Sequence, residues 1–198
     1  MHNGSENLIV RVLIITQYFY PEDFRVNELA FALQSSGHDV VVLTGQPNYP
    51  SGRFFPGYSP LRPLQERYNG IQVIRVPLYA RRSGRPWELA LNYISFALSA
   101  TIFGLPRLRG RFDACLVYCP SPITTAIPAI IYRLVRGRPV AIWVQDLWPE
   151  SVFAITPGGR RWLNALLSRL VRWIYMHADQ IWIQSLAYVR SVEAHGGS

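Results

Sequence analysis

Six short apolar runs, rich in β-branched residues, recur along the chain: LIVRVLIIT (8–16), HDVVVLT (38–44), GIQVIRVPL (70–78), FDACLVY (112–118), PVAIWV (139–144) and DQIWIQS (179–185). Runs of this length, without strict polar alternation, are strands buried on both faces. Between them lie segments with helical spacing. In DFRVNELAFALQSSGHD, Val26, Leu29, Ala30 and Leu33 share one face and Gly37 is a natural stop. PITTAIPAIIYRLVR (122–136) reads as a helix with Pro122 in its first turn and Pro128 placed to kink it. A further helix spans 160–177. Strands alternating with helices predict an α/β domain, a parallel sheet with helices on both faces. With 198 residues, 49% apolar and only 16% charged, the chain can bury one full core but hardly two. The expected organisation is a flexible leader, 1–7, and a single domain, 8–198.

Such sheets bind ligands at the carboxyl ends of their strands. Three unusual loops fall there: QYFYPEDFR after the first strand, CPSP after the fourth and QDLWPE after the fifth. Dinucleotide folds need glycines after strand one, so that backbone can approach a pyrophosphate. TQYFYPEDFRVNE has none, which argues against an NAD or FAD domain, and no P-loop or serine elbow is present. The loop instead carries Tyr18, Tyr20, Glu22, Asp23, Arg25 and Asn27. Aromatic faces stack on the apolar faces of sugars, while Asp, Glu, Asn and Arg pair hydroxyls and phosphate. Asp23 reads equally as a helix cap and Tyr18 as a packing residue. The insertion 45–69 is too long for a simple connection, and its aromatics predict order.

All 20 basic residues are arginine, and the formal charge is +8. Codon bias explains that composition as well as phosphate or carboxylate recognition by arginine's planar fork does. A nucleic-acid surface would explain the charge but not the loops, so no nucleic-acid partner is expected. Cys115 and Cys119 lie four residues apart on one strand, roughly 13 Å at about 3.3 Å per residue, too far to bridge. That fits a cytoplasmic setting. His2, His38, His177 and His195 are scattered, so no metal centre is expected.

Taken in order, ITQYFYPEDFRVNELAFALQSSGHDVVVLTGQPNYPSGRFFPGY, GIQVIRVPL, LNYISFALSA and VQDLWPES resemble the N-terminal half of bacterial family 4 glycosyltransferases. The nearest group adds fucosamine-type or fucose-type sugars in O-antigen and capsule assembly. The resemblance covers roughly residues 9 to 190. It implies a Rossmann-like domain of a GT-B enzyme, in which two such domains face each other across a cleft. The N-terminal domain mainly holds the acceptor. The C-terminal domain mainly holds the nucleotide-sugar donor, a co-substrate, through a pair of glutamates. The chain ends at EAHGGS, where that second domain would begin, so a donor domain or separate chain is the expected partner for turnover. The resemblance also implies retention of configuration and no metal or other cofactor. EDFRVN replaces a glycine pair found in many relatives, and Gln145 stands where many carry histidine. Glutamine cannot act as a base. Asp146 is then the residue nearest the reacting hydroxyl, as base or as an orienting group if the leaving phosphate takes the proton. Asp146 and Glu150 read alternatively as helix caps. Tyr18, Tyr20, Glu22, Asp23, Arg25 and Asn27 would line the acceptor side, with Asn48, Tyr49 and Arg53 from the long loop and Ser121, Gln145 and Glu150 from the others. The same residues also fit a non-catalytic module that binds lipid-linked sugar or a partner chain.

Two segments bear on membranes. WELALNYISFALSATIFGL (87–105) has 19 residues and one charge, with Glu88, Asn92, Ser95 and Ser99 along one stripe and arginines on both flanks. It reads as a crossover helix, a surface-bound helix starting at Trp87, or a span. In RRWLNALLSRLVRWIYMH (160–177), Arg161, Ser168, Arg169 and Arg172 gather opposite Leu163, Leu166, Leu167, Leu170, Val171 and Ile174, with Trp162 and Trp173 at the border. That pattern fits an anionic membrane surface or a helix docked on the sheet. A polyprenyl-pyrophosphate-linked sugar acceptor at the cytoplasmic face of the membrane would suit either segment.

Overall fold

Each apolar run becomes a strand in the computed structural model, which describes residues 8–155 and 161–197. The leader 1–7 lies outside the described residues, as does Arg160. The strands are β1 (Arg11–Thr16), β2 (Asp39–Gly45), β3 (Leu64–Tyr68), β4 (Ile71–Val76), β5 (Ala114–Cys119), β6 (Val140–Val144) and β7 (Gln180–Ile183). They form one sheet in the order β3-β4-β2-β1-β5-β6-β7. All pairings are parallel except β3 with β4. The six parallel strands thus follow the doubly wound Rossmann order, which reverses between β1 and β5, where such folds open a crevice.

The helices are α1 (Arg25–Ser35), α2 (Pro86–Ser99), α3 (Ile127–Arg136), α4 (Glu150–Ile155), α5 (Arg161–Met176) and α6 (Val189–Ala194). Successive strand residues point to opposite faces. Leu13 and Ile15 of β1 join a core with Phe96 of α2, Ile130 of α3, Ile174 of α5 and Val192 of α6. Val12 and Ile14 point the other way, onto Val26 and Ala30 of α1. Helices therefore cover both faces, unevenly. Cys115 and Cys119 are free and buried on the first of these faces.

Three local readings change. The insertion contains β3, an antiparallel edge strand whose residues LQERY alternate between half-buried and exposed. Its polar composition hid it among loop residues. Pro128 does not kink a helix: residues 123–126 form a 3₁₀ turn and α3 begins at Ile127, so Pro128 sits in its first turn, where no backbone N–H is needed. Asp23 does not cap α1. The N-cap is Phe24, which makes no side-chain cap bond, and Asp23 is exposed.

Candidate functional site

Because β1, β2, β4, β5, β6 and β7 run the same way, the segments that follow them share the carboxyl edge. Four of these loops bear a cis proline bond, at Tyr20–Pro21, Tyr49–Pro50, Ser121–Pro122 and Trp148–Pro149. Two buried ionisable groups hold the edge together. Glu22 is 2% exposed. Its Oε1 accepts the backbone N–H groups of Asn48 (2.8 Å) and Tyr49 (2.7 Å), and its Oε2 accepts that of Phe19 (3.3 Å). One carboxylate thus clasps the first loop to the long insertion. Burial pushes its pKa up to about 7, while these N–H groups and the charge of Arg75 pull the other way. Arg75, fully buried, donates from Nε to Glu66 (2.6 Å), from Nη1 to the Gly45 carbonyl (3.2 Å) and from Nη2 to the Tyr20 carbonyl, and lies over the Tyr58 ring. It joins β3 and β4 to the first loop.

Above this frame, aromatic and polar groups converge. Tyr18 stacks on Phe24 with centroids 4.8 Å apart, and Tyr49 tilts against both at 5.5 and 5.2 Å. The Arg81 guanidinium caps the Tyr49 ring at 4.7 Å. The long loop reaches Arg81 through Gly52, at φ +69°, where a Cβ would fall 2.3 Å from the Arg81 carbonyl oxygen. From the other side, the Trp148 indole N–H is shared between Asp146 Oδ2 (3.2 Å) and Ser121 Oγ (3.3 Å). Tyr93 of α2 meets Trp148 edge-on at 6.1 Å. Burial raises the Tyr93 pKa, Ser121 at its hydroxyl and the Arg81 charge oppose that, and the Asp146 charge adds to it. Burial also raises that of Tyr18, which feels Tyr93, Arg81 and Glu22 in turn. Tyr93, edge-on to Trp148, thus lies within electrostatic range of both Tyr18 and Asp146. Asp146 is half-buried, and Oδ1 has no protein partner among the described residues.

The structure thus brings Tyr18, Tyr49, Ser121 and Asp146 together. Glu22, Asn27 and Asn48 build the wall behind them. Asn27 accepts from the Tyr20 N–H (3.1 Å) and donates to the Glu22 carbonyl (2.7 Å), and Asn48 is buried and donates to the Gln46 carbonyl (2.9 Å). Tyr20 stacks on Tyr68 at 3.6 Å, away from that cluster. Asp23, Arg25 and Arg53 are exposed on the rim. Gln145 Oε1 accepts from the Tyr118 hydroxyl (3.1 Å), and its carbonyl takes Gln184 (3.0 Å) and Tyr188 (3.3 Å). Glu150, at the start of α4, accepts from the Ser191 hydroxyl and ties α4 to α6. Arg81, Tyr93 and Arg75 were not legible as site residues. Arg81 follows a strand, as the other site residues do, which was a usable signal. Nothing local marks Arg75 or Tyr93.

A half-free carboxylate beside ring surfaces, a hydroxyl and one guanidinium can take a polyhydroxylated ligand and orient one of its hydroxyls. A Rossmann-ordered sheet carrying that cluster at its switch point is the class of domain from which GT-B glycosyltransferases are built. The chain matches the glycosyl transferase 4-like domain over residues 24–198 and belongs to that family. Among solved structures it is similar to the catalytic domain of Starch Synthase IV from Arabidopsis thaliana, bound to ADP and acarbose, at 13% identity and a TM-score of 0.45. That match covers 69% of this chain and 34% of the other, so the chain spans about a third of its length. No curated protein matches.

Proposed function

We propose that this domain is the acceptor-binding half of a retaining GT-B glycosyltransferase. The full enzyme moves a sugar, of the fucose or fucosamine type, from a nucleotide-sugar donor to a polyprenyl-pyrophosphate-linked saccharide. Its setting is O-antigen or capsule assembly on the cytoplasmic face of the cell membrane, and a donor-binding domain completes the cleft. The observation that carries the reading is Asp146 at the carboxyl edge: its Oδ2 shares the Trp148 N–H with Ser121, and its Oδ1 has no protein partner among the described residues. The motif order described above supports the choice of sugar and pathway. In the proposed reaction the acceptor oxygen bonds to the anomeric carbon as the bond to the nucleotide phosphate breaks. The hydroxyl proton passes to the leaving phosphate. Asp146 accepts a hydrogen bond from the attacking hydroxyl and fixes its direction, a contribution of orientation rather than of basicity.

The test combines the chain with a donor-binding domain and measures transfer to a lipid-linked acceptor. Asp146→Asn keeps the size and the indole contact but loses the charge. It is expected to lower kcat by about a hundredfold, with a smaller change in acceptor KM. An unchanged rate removes Asp146 from the mechanism.

A further inference from the structure

The helix α2 is mounted with its polar stripe inward. Asn92 accepts from Gln17 Nε2 (2.6 Å) and donates to the Tyr79 carbonyl (2.6 Å). Ser95 Oγ accepts from the Tyr79 N–H (2.8 Å), and Glu88 accepts from Ser83 N–H (2.7 Å) and Oγ (2.8 Å). Glu88 and Asn92 are buried. Past α2 the chain continues through a π turn, Ala100–Gly104, whose Gly104 lies so close to the sheet that a Cβ would meet Leu43 at 2.6 Å. The opposite face is left in solvent: Trp87, Leu91, Ile94, Leu98, Ile102 and Phe103 are 43–58% exposed. This row runs roughly 24 Å along the axis, at about 1.5 Å per residue. Surface helices of soluble domains turn such a face to the core.

Two features say what covers the row. Its ends carry exposed arginines, Arg82 and Arg85 before it and Arg109 and Arg111 after it. Between residues 79 and 112 the sole carboxylate is Glu88, which is buried and bonded. The segment is thus apolar in the middle and cationic at both ends, with its next exposed anion, Asp113, past Arg111 and bonded to the Arg11 N–H, which complements anionic headgroups over acyl chains. Beside it a cavity of about 320 Å³, lined by Phe54, Leu61, Leu78, Arg82, Ser95 and Ser99, opens between the long loop and α2. The run Pro86–Arg107 is long and apolar enough to cross a bilayer. Its inner bonds to Gln17, Tyr79 and Ser83 hold it against the domain instead.

We infer that the outward face of α2 and its π turn is a peripheral docking surface for an anionic lipid bilayer, with the row at acyl depth and the four arginines on headgroup phosphates. Such docking would hold the carboxyl edge beside the lipid surface, since Asn92 and Tyr93 connect α2 to the crevice. The inference deepens the lipid-linked reading of the acceptor, yet its test involves no saccharide, so the two fail separately.

The experiment is flotation of the full chain with phosphatidylcholine vesicles, with and without phosphatidylglycerol, at low and high salt. Wild type is expected to float with the anionic vesicles and to lose most binding in high salt. The triple variant Leu91→Ser, Ile94→Ser, Leu98→Ser, all exposed positions, should bind at least about tenfold more weakly with an unchanged circular dichroism spectrum. The pair Trp162→Ser, Leu166→Ser on α5 should bind like wild type. Equal binding by the triple variant, or loss confined to the α5 pair, overturns the inference. So does wild type that ignores anionic lipid and instead forms a dimer that the triple variant abolishes.

Discussion

At the amino edge of the sheet, Arg133 meets Asp179 through two bonds of 2.7 Å, and both side chains remain about a third exposed. At the carboxyl edge, Arg75 meets Glu66 at 2.6 Å with no exposure of its own. The chemistry is the same, but the two arginines sit in opposite surroundings. Water screens the first pair and re-solvates it when broken, so it contributes little. In the second, Arg75 has exchanged its hydration for Glu66, two carbonyls and a ring face, while Glu66 keeps 26% exposure, so removing a partner leaves a buried polar group unmatched. The difference teaches where this fold concentrates its polar architecture: at the edge that holds the candidate site.

The contrast is broken most directly at Arg75. Arg75→Met should lower unfolding free energy by about 3–5 kcal/mol in a denaturant titration. Adding Glu66→Leu should recover part of that, because the partly buried carboxylate left without its cation goes with it. A loss below about 1 kcal/mol would put this pair in the same class as the amino-edge one.

Glu22 sharpens the comparison through pH. Its carboxyl holds a proton up to about pH 7 in the folded chain, against an ordinary value of 4.5. Within that window the folded state binds more protons than the unfolded state, so this group's contribution to stability falls as pH rises and levels off above pH 7. Glu22→Gln lacks the titration. Wild-type stability measured relative to this variant should therefore decline by on the order of 2 kcal/mol from about pH 5 to about pH 8. A flat difference would mean the clasp is ionised throughout.

Asp179 has the opposite sign. Arg133 first, then the Val140 N–H, hold its pKa below the ordinary value, so its contribution is present near neutral pH and is lost as pH falls through the acid range. Arg133→Ala should cost only about 0.5–1 kcal/mol at neutral pH, and less in high salt. A salt-independent loss of several kcal/mol would erase the distinction between the edges.

The two long helices show how far patterning reaches. On α5, Val171 and Ile174 are buried and Arg161, Arg169 and Arg172 exposed, as the wheel predicts for a docked helix. Trp173 is half-buried and packs against the core, while Trp162 and Leu166 are 60% and 54% exposed. On α2 the stripe was legible, but its direction was not. Periodicity says which residues share a face and is silent on which face meets the protein. That depended on Gln17 and Tyr79, distant in sequence, supplying partners for Asn92.

Burial of β-branched runs is a local matter of side-chain shape and hydration, so the amino-acid order alone determined six of the seven strands among the described residues, the main helices and the edge at which the candidate site lies. It also placed Asp146, Ser121, Tyr18 and Tyr49 on that edge. Only the tertiary structure decided that Arg75 and Glu22 are interior clasps, that Arg81 meets Tyr49 and Tyr93 meets Trp148, and that α2 turns its apolar row outward. Each of these turns on which polar group finds a partner across the fold, and a desolvated hydrogen bond between residues far apart in the chain leaves no trace in either one's neighbourhood.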